Sequence, residues 1–295
     1  MTAGSHVLAC EKPAGHLRWP GIHVGVMQGR LLPKYMGRYQ AYPKGYWEKE
    51  FELAASFGLS HIEWILDWND HAENALMTPV GRREIKAKMD DAGVCVVSVC
   101  ADFFMECPLH SGDASVQRQA ITVLGQTLEA ASDLGAYLVV IPCVDQSSVA
   151  GDAAAQARLI NVLSQVLEAR DCSDVNISLE MDLPPAEFAE VLHGLPSEGV
   201  GVNYDIGNSA ALGFDFKEEF KVYGDRINLV HIKDRALGGG PVVLGQGDAK
   251  LAEVFEGLRQ LGYDGPYTMQ AYRDDEGLEV FSRQMDVLEG IINAG

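Results

Sequence analysis

The stretch between residues 137 and 181 decides the fold, because YLVVIP (137–142) and NISLEM (176–181) flank AAAQARLINVLSQVLEAR (153–170). The two short runs are apolar and rich in β-branched residues, which is typical of buried strands. The longer segment between them has the apolar spacing of an amphipathic helix. Two strands joined through a helix in this order run parallel. The stretch therefore predicts one βαβ unit.

The same pattern repeats along the chain. Eight short apolar or β-branched runs recur: IHVGVM (22–27), HIEWIL (61–66), VCVVSV (94–99), YLVVIP (137–142), NISLEM (176–181), GVNYDI (201–206), INLVHIK (227–233) and PYTMQ (266–270). The amphipathic stretches between them include YWEKEFELAASFG (46–58), VGRREIKAKMDDAG (80–93), VQRQAITVLGQTLEAASDLG (116–135) and AEVFEGLRQLG (252–262). Each of these four ends in glycine, as helices with a left-handed C-terminal cap do. Eight repeats predict a (β/α)8 TIM barrel, and no Gly-rich dinucleotide fingerprint follows the first run.

The size and composition of the chain agree with one catalytic barrel. We expect a single TIM-barrel domain over residues 21–295 of the 295-residue chain, preceded by an N-terminal extension at 1–20. The extension lacks the apolar core of a signal peptide, and no run approaches the ~20 apolar residues that span a bilayer. The six cysteines include no CxxC pair, so we predict reduced thiols and a cytoplasmic protein. A net charge of −19 argues against nucleic-acid and anionic-membrane partners.

Four consecutive predicted strands carry a polar residue at or near their carboxyl end: Glu180, Asp205, His231 and Gln270. TIM barrels place their active sites at this end of the strands. Any one of these residues has a structural explanation, since a carboxylate can cap the next helix and a histidine can be a core residue. Two buried carboxylates close together, however, are costly without a compensating cation. The pattern therefore predicts a metal site formed by all four residues.

The type of ligand indicates the metal and the chemistry. Oxygen donors with one imidazole suit Mn²⁺ best, with Mg²⁺, Co²⁺ or Zn²⁺ as alternatives. Such an ion polarises a carbonyl and stabilises an enediolate, which is what proton transfer beside a ketone requires.

Four motifs give the chain its resemblance to a known family. These are Glu180, D-x-G-N at 205–208, H-x-K-D at 231–234 and L-G-x-G-D at 244–248. With them, residues 21–291 resemble the xylose-isomerase-like TIM barrels, which include sugar and sugar-phosphate isomerases and epimerases. The resemblance implies a metal-dependent enzyme acting through an enediolate. The motifs are fairly specific for the superfamily and weak for the substrate.

The resemblance also implies roles for the four residues at the strand ends. The positions matching Glu180, Asp205 and His231 hold metal ligands in the family, and the fourth ligand is usually a glutamate where this chain has Gln270. In the family's ketose 3-epimerases that glutamate and the one matching Glu180 act as the two bases. An amide offers a carbonyl oxygen to a metal but accepts no proton at neutral pH. Glu180 is therefore the predicted catalytic base, and two-glutamate epimerisation is in doubt.

Several functions remain open from the sequence. The leading hypothesis is an isomerase or epimerase of a monosaccharide or its phosphate. One-base chemistry also suits a lyase or dehydratase acting on a keto-cyclitol or keto-sugar, and loss of the second base suits a non-catalytic sugar-binding barrel. An apurinic endonuclease needs a His-rich trinuclear zinc site, which eight histidines and the acidic charge disfavour. The family resemblance also makes a homo-oligomer an expectation.

Further polar residues near the predicted strand ends are candidates for substrate binding: His23, Arg30, Glu63, Asp102, Lys233 and Arg273. For His23 and Glu63 a buried structural pair is an equally good interpretation. Arg30 lies in the long loop QGRLLPKYMGRYQAYP (28–43), and loops of this length often cover substrate. Arg30 and Arg273 are predicted to hold an anionic group. The loop GGGPVVLGQGD (238–248) lies where barrels often bind phosphate through backbone N–H groups.

Overall fold

The computed structural model describes residues 18–19, 21–169 and 174–293. Eight parallel strands close into a barrel in the order β1-β8-β7-β6-β5-β4-β3-β2. The strands are β1 Val24–Met27, β2 His61–Ile65, β3 Cys95–Cys100, β4 Leu138–Cys143, β5 Asn176–Met181, β6 Val200–Asp205, β7 Ile227–Ile232 and β8 Tyr267–Met269. The predicted (β/α)8 barrel is confirmed, and every predicted strand run overlaps an observed strand.

The first and last strands close the barrel. Val24 of β1 is in register with Tyr267 of β8, and Val26 is in register with both Met269 of β8 and Ile62 of β2. The carboxyl ends of all eight strands therefore meet at one face, which becomes the floor of the site.

Ten α-helices surround the barrel or lie in its connections: α1 Lys49–Ser56, α2 Pro79–Ala92, α3 Phe103–Glu106, α4 Ala114–Leu134, α5 Ala153–Glu168, α6 Pro185–His193, α7 Ile206–Leu212, α8 Phe216–Tyr223, α9 Leu251–Leu261 and α10 Leu278–Asn293. Short 3-10 turns occupy Tyr35–Gly37, His71–Glu73, Ala75–Met77, Asp145–Ser147 and Gly224–Arg226. A small antiparallel hairpin pairs Asp234–Arg235 with Pro241–Val242 after β7. These counts refer to the described ranges.

Local sequence signals set where the helices begin and end. The Asp113 side chain accepts the N–H of Ser115 at the start of α4, and Asp152 accepts that of Ala155 at the start of α5. Such caps satisfy N–H groups that have no partner within the helix. Gly135 ends α4 at a φ of 89°, a left-handed conformation that favours glycine.

The predicted N-terminal extension, residues 1–20, lies outside the described residues except for Arg18 and Trp19. Trp19 is buried in the hydrophobic core, and the Arg18 N–H donates to the carbonyl of Gly58. Arg18 and Trp19 therefore pack against the barrel, and the boundary at residue 21 stays a prediction. In the described part of the chain, no helix combines the length and apolar character needed to cross a membrane.

The prediction of reduced cysteines holds for part of the set. Cys100, Cys107 and Cys143 are free, buried thiols. Cys95, at the start of β3, is disulfide-bonded, so the prediction is wrong for that residue. Spacing along the sequence does not show which cysteines the fold brings together.

Candidate active site

Three of the predicted metal ligands meet at the carboxyl end of the barrel. Glu180 lies near the end of β5, Asp205 ends β6, and His231 is the fifth residue of β7. Each offers one ligand atom, and these three atoms lie within 4.8 Å of one another. All three residues are buried. Within the described ranges this is the one cluster of acidic, histidine or cysteine side chains close enough to hold a metal ion.

The His231 ring is held from behind by Glu63. The distance from His231 Nε2 to Glu63 Oε1 is 2.7 Å, and the other carboxylate oxygen accepts the Ser98 hydroxyl at 2.7 Å. A carboxylate accepts hydrogen bonds, so Nε2 carries the proton and Nδ1 faces the site. Nδ1 lies 3.0 Å from Asn203 Nδ2 and 3.5 Å from Glu180 Oε2. Histidine ligands are commonly oriented by a carboxylate in this way.

Two asparagines hold the Glu180 carboxylate. Asn203 Nδ2 donates to Oε2 at 2.8 Å, and Asn208 Nδ2 donates to Oε1 at 2.7 Å. Burial and the nearby Asp205 carboxylate raise the pKa of Glu180 to about 7, against the opposing effect of His231 and Lys233. For His231, burial lowers the pKa, but Glu63 and the site carboxylates more than offset it and raise the value to about 9.

Lys233 connects the metal-ligand candidates to Gln270. Its Nζ donates to Gln270 Oε1 at 2.9 Å, to Asp205 Oδ2 at 3.1 Å and to Asn208 Oδ1 at 3.2 Å. Gln270 follows the last residue of β8 and is buried. Its carbonyl oxygen thus lies beside the cluster and is hydrogen-bonded to a lysine.

The donor set fits a divalent cation. Two carboxylates and one imidazole whose Nδ1 faces them are converging oxygen and nitrogen donors, and the hydrogen bond from His231 to Glu63 orients the ring. The mutual repulsion of Glu180 and Asp205, which raises the pKa of Glu180, is the interaction that a bound cation would relieve. The cluster contains a single histidine, which does not fit a His-rich trinuclear zinc site.

A cavity of about 390 Å³ opens above the cluster. Glu180, Lys233 and Gln270 line its floor, and the predicted substrate-binding residues Arg30 and Asp102 line its wall. A volume of this size accommodates a monosaccharide or its phosphate. The structure therefore places Arg30, Asp102 and Lys233 where the sequence predicted them.

Arg30 is almost completely buried in that wall. Its guanidinium lies over the ring of Tyr39, and its Nη2 donates to Gln40 Oε1 at 2.7 Å. Burial lowers the pKa of Arg30, and its Nε has no hydrogen-bond partner. An arginine in this state is suited to an oxygen-rich ligand.

Three other predicted substrate-binding residues do not reach the cavity. His23 precedes β1 and so lies at the amino end of the barrel, opposite the site. Both Glu63 carboxylate oxygens are engaged below the cavity floor. Arg273 donates from Nη1 to the Gly29 carbonyl and from Nη2 to the Leu32 carbonyl, each at 2.7 Å. Its guanidinium holds the backbone of the loop after β1, so we correct its expected role from anion binding to loop support.

The loop after β7 is organised around an acidic side chain. Asp234 is fully buried and accepts the N–H groups of Gly245, Gly247 and Ala249 at 2.8, 2.9 and 3.1 Å. Within the loop 238–248, the N–H groups of Gly245 and Gly247 are therefore already bonded to Asp234 and are not free for a phosphate. The L-G-x-G-D motif instead fixes the loop beside the site.

The structure adds site residues that the sequence reasoning missed: Gln40, Asn203, Asn208 and Arg235. Asn203 precedes Asp205 by two residues, and strand alternation places both on the same face. The alternation therefore predicts that Asn203 lies in the site. Asn208 is the last residue of the D-x-G-N motif. Gln40 lies deep in a loop, where no periodicity indicates which way a side chain faces.

Comparison with known proteins shows which family this chain belongs to. The family model of xylose isomerase-like TIM barrels matches residues 51–291. The chain belongs to this family. Among curated relatives of this xylose isomerase-like barrel is the L-ribulose-5-phosphate 3-epimerase UlaE of Salmonella heidelberg. That protein is 26% identical over 257 residues, which cover 84% of this chain and 90% of the relative. UlaE of Escherichia coli strain K12 matches with the same identity and coverage.

The relatives are isomerase-class enzymes, which supports the predicted sugar isomerase or epimerase and does not favour the lyase alternative. Among solved structures, the IOLI protein with a bound zinc atom has a TM-score of 0.74 at 14% identity. The match covers 92% of this chain and 99% of that one. At this identity the likeness confirms the xylose isomerase-like fold alone.

Proposed function

We propose that the protein is a metal-dependent isomerase or epimerase of a monosaccharide or sugar phosphate, acting through an enediolate. The observation that carries the proposal is the convergence of Glu180, Asp205 and His231 on one floor, beneath a cavity of about 390 Å³. The 3-epimerase relatives support the same class of reaction.

Glu180, Asp205 and His231 would hold the ion, for which Mn²⁺ is the first choice and Mg²⁺, Co²⁺ or Zn²⁺ are alternatives. When bound, a divalent ion supplies polarisation of the substrate carbonyl and neutralises developing negative charge. Gln270 Oε1 lies beside this set and retains a second lone pair while it accepts from Lys233, so a fourth-ligand role stays a proposal.

Glu180 is the proposed base. Its carboxylate lines the cavity, and a pKa of about 7 matches proton transfer at neutral pH. Asn203 and Asn208 hold its two oxygens in place. Glu63 acts through His231, whose Nδ1 it directs into the site, and is a positioning residue.

A second proton donor or acceptor is needed if the reaction is an epimerisation, because Gln270 cannot take up a proton. The cavity wall offers Asp102, whose pKa is raised by burial, and the ammonium group of Lys233. Aldose–ketose isomerisation needs Glu180 alone. Arg30 is the residue we propose for an oxygen-rich or phosphorylated part of the substrate. A cytoplasmic location and a homo-oligomer stay predictions.

The test is a substrate screen in D₂O with Mn²⁺, over free and phosphorylated ketoses and their aldose isomers, read by NMR. We expect one carbon beside a carbonyl to gain deuterium while an epimer or isomer accumulates. Glu180→Gln should remove both signals, and the exposed Gln165→Glu on α5 should keep them. Turnover that proceeds equally in the Glu180→Gln protein, or in protein stripped of metal, would contradict the proposal.

A further inference from the structure

Gln40, in the loop between β1 and α1, connects three other residues that line the cavity. Arg30 Nη2 donates to Gln40 Oε1 at 2.7 Å, and Gln40 Nε2 donates to Asp102 Oδ2 at 2.6 Å. Gln270 Nε2 donates to the same Gln40 Oε1 at a longer 3.4 Å. Together with the bond from Lys233 to Gln270 Oε1, these contacts form one chain across the cavity.

The chemistry of the neighbours fixes the orientation of both amides. Lys233 has only donors, so the carbonyl of Gln270 must face it. Arg30 also has only donors, so the carbonyl of Gln40 must face Arg30, and its NH₂ group then meets the Asp102 carboxylate. The NH₂ group of Gln270 therefore faces the carbonyl of Gln40, and this donor and acceptor are complementary.

A glutamate at position 270 would break this complementarity. A carboxylate would keep the contact with Lys233 and strengthen it through charge, but it would present an acceptor to Gln40 Oε1. Turning the Gln40 amide over would not help, because its NH₂ group would then face Arg30 and its carbonyl would face Asp102. An unmatched buried acceptor carries a free-energy cost, so Lys233 and Gln40, the latter fixed by its own two partners, select an amide at 270.

The neighbourhood of Gln40 is separate from the anchor at the start of the loop. Glu50 accepts the N–H groups of Gly29 and Leu31 at 2.6 and 3.1 Å, beside the contacts that Arg273 makes with the loop carbonyls. These bonds hold the first residues of the loop without Gln40. A change at Gln40 or Gln270 is therefore expected to loosen the later part, residues 38–42, and to leave the anchor intact.

We propose that Gln40 and Gln270 form an amide pair that positions a substrate hydroxyl in the cavity and couples the loop after β1 to Lys233. Both residues line the cavity, and each NH₂ group keeps one N–H beyond those used in these contacts, which suits the oxygen of a carbohydrate hydroxyl. The substrate part of this inference rests on the proposed function. The coupling between the two residues does not, and it can be measured in the metal-free protein.

The coupling is tested by hydrogen exchange in a double-mutant cycle with Gln40→Met, Gln270→Glu and the double variant. Gln165→Glu, at an exposed position, is the matched control for the change of charge. We expect Gln270→Glu to speed exchange in residues 38–42 about tenfold, and to change it less than about twofold when Met already replaces Gln40. If Gln270→Glu changed the exchange rate equally in the native and Gln40→Met proteins, or in neither, the proposed coupling would be overturned.

The substrate part is tested by steady-state kinetics on whichever sugar the screen identifies. Gln40→Met removes the amide and keeps the length of the side chain, so KM should rise about tenfold while kcat changes less than about threefold. An unchanged KM would overturn the positioning role. A protein without turnover on any sugar would count against the proposed function, while the exchange result would still decide the coupling.

Discussion

Two fully buried histidines inside one barrel show how surroundings separate a structural side chain from a functional one. His61, at the start of β2, contacts the hydroxyls of Ser60 and Thr268 at 2.9 and 3.1 Å, and burial lowers its pKa to about 3. His231, near the end of β7, faces Glu63 and Glu180, and these carboxylates overcome the effect of burial and raise its pKa to about 9. Both imidazoles are buried, so the difference in pKa comes from the carboxylates beside His231.

The comparison divides the barrel interior into two layers. The amino end is packed and neutral: a side-chain carbon at Gly25 would lie 2.2 Å from the His61 ring, so only glycine leaves room for the imidazole there. The carboxyl end concentrates charge beneath an open cavity. Stability should therefore depend on the first layer and chemistry on the second.

The largest expected effect is on turnover. Glu180→Gln should lower kcat about 10³-fold, because an amide cannot accept the substrate proton and general bases contribute about 10²- to 10⁴-fold. His61→Gln, at the other layer, should retain most of the activity. Rates of deuterium incorporation in the two variants give the comparison, and similar losses in both would remove the distinction between the layers.

Metal affinity should depend strongly on pH. Metal binding requires unprotonated ligands, and the pKa of His231 is raised to about 9. The affinity should therefore fall about 50-fold between pH 9 and pH 7, because His231 is about half protonated at pH 9 and almost fully protonated at pH 7. Below about pH 7 the fall should steepen, because Glu180 also gains a proton. Calorimetric titration with Mn²⁺ across this range measures the slope, and a flat profile would contradict the assignment of these ligands.

The carboxylate behind His231 should have an intermediate effect. Glu63→Gln leaves an acceptor for His231 Nε2 but removes the charge, so metal affinity should fall about tenfold, the low end for supporting residues. Nitrogen NMR of the metal-free protein should also show a change in the tautomer balance or pKa of His231. Ser60→Ala, beside His61, is the matched control. A Glu63→Gln protein with native affinity and native His231 signals would exclude the positioning role.

The last prediction concerns stability in acid. The pKa of His61 is about 3 in the folded protein and near 6.5 when unfolded, so below pH 6.5 the unfolded chain binds a proton that the folded chain does not. Stability should fall with pH between about 6.5 and 3, by up to about 1.4 kcal/mol per pH unit from this residue. His61→Gln should weaken the dependence in urea unfolding at pH 5 and 7. An unchanged slope would show that His61 is not the cause.

Most of the fold was predictable from periodicity. The run NISLEM (176–181) coincides with β5, and other strand boundaries differ by one or two residues. Glu180, Asp205 and His231 were also predictable, because parallel strands in a barrel bring their carboxyl ends together. Periodicity cannot show how far a side chain lies from a particular partner.

That limit accounts for the residues whose expected roles changed. His23 belongs to an apolar run, but β1 begins one residue later, which places the histidine at the wrong end of the barrel. Arg273 is close to Gln270 in sequence, yet its guanidinium turns to the carbonyls of another loop. The partners of Gln270 come from Lys233 and Gln40, and only the folded chain brings Gln40 near.

The central claim is that the charged layer at the carboxyl end holds a divalent ion, and metal titration of matched histidine variants tests it most directly. Calorimetry with Mn²⁺ should show one ion per native chain, more than about 100-fold weaker binding for His231→Ala, and unchanged binding for His61→Gln. Equal affinity in the native and His231→Ala proteins would contradict the account.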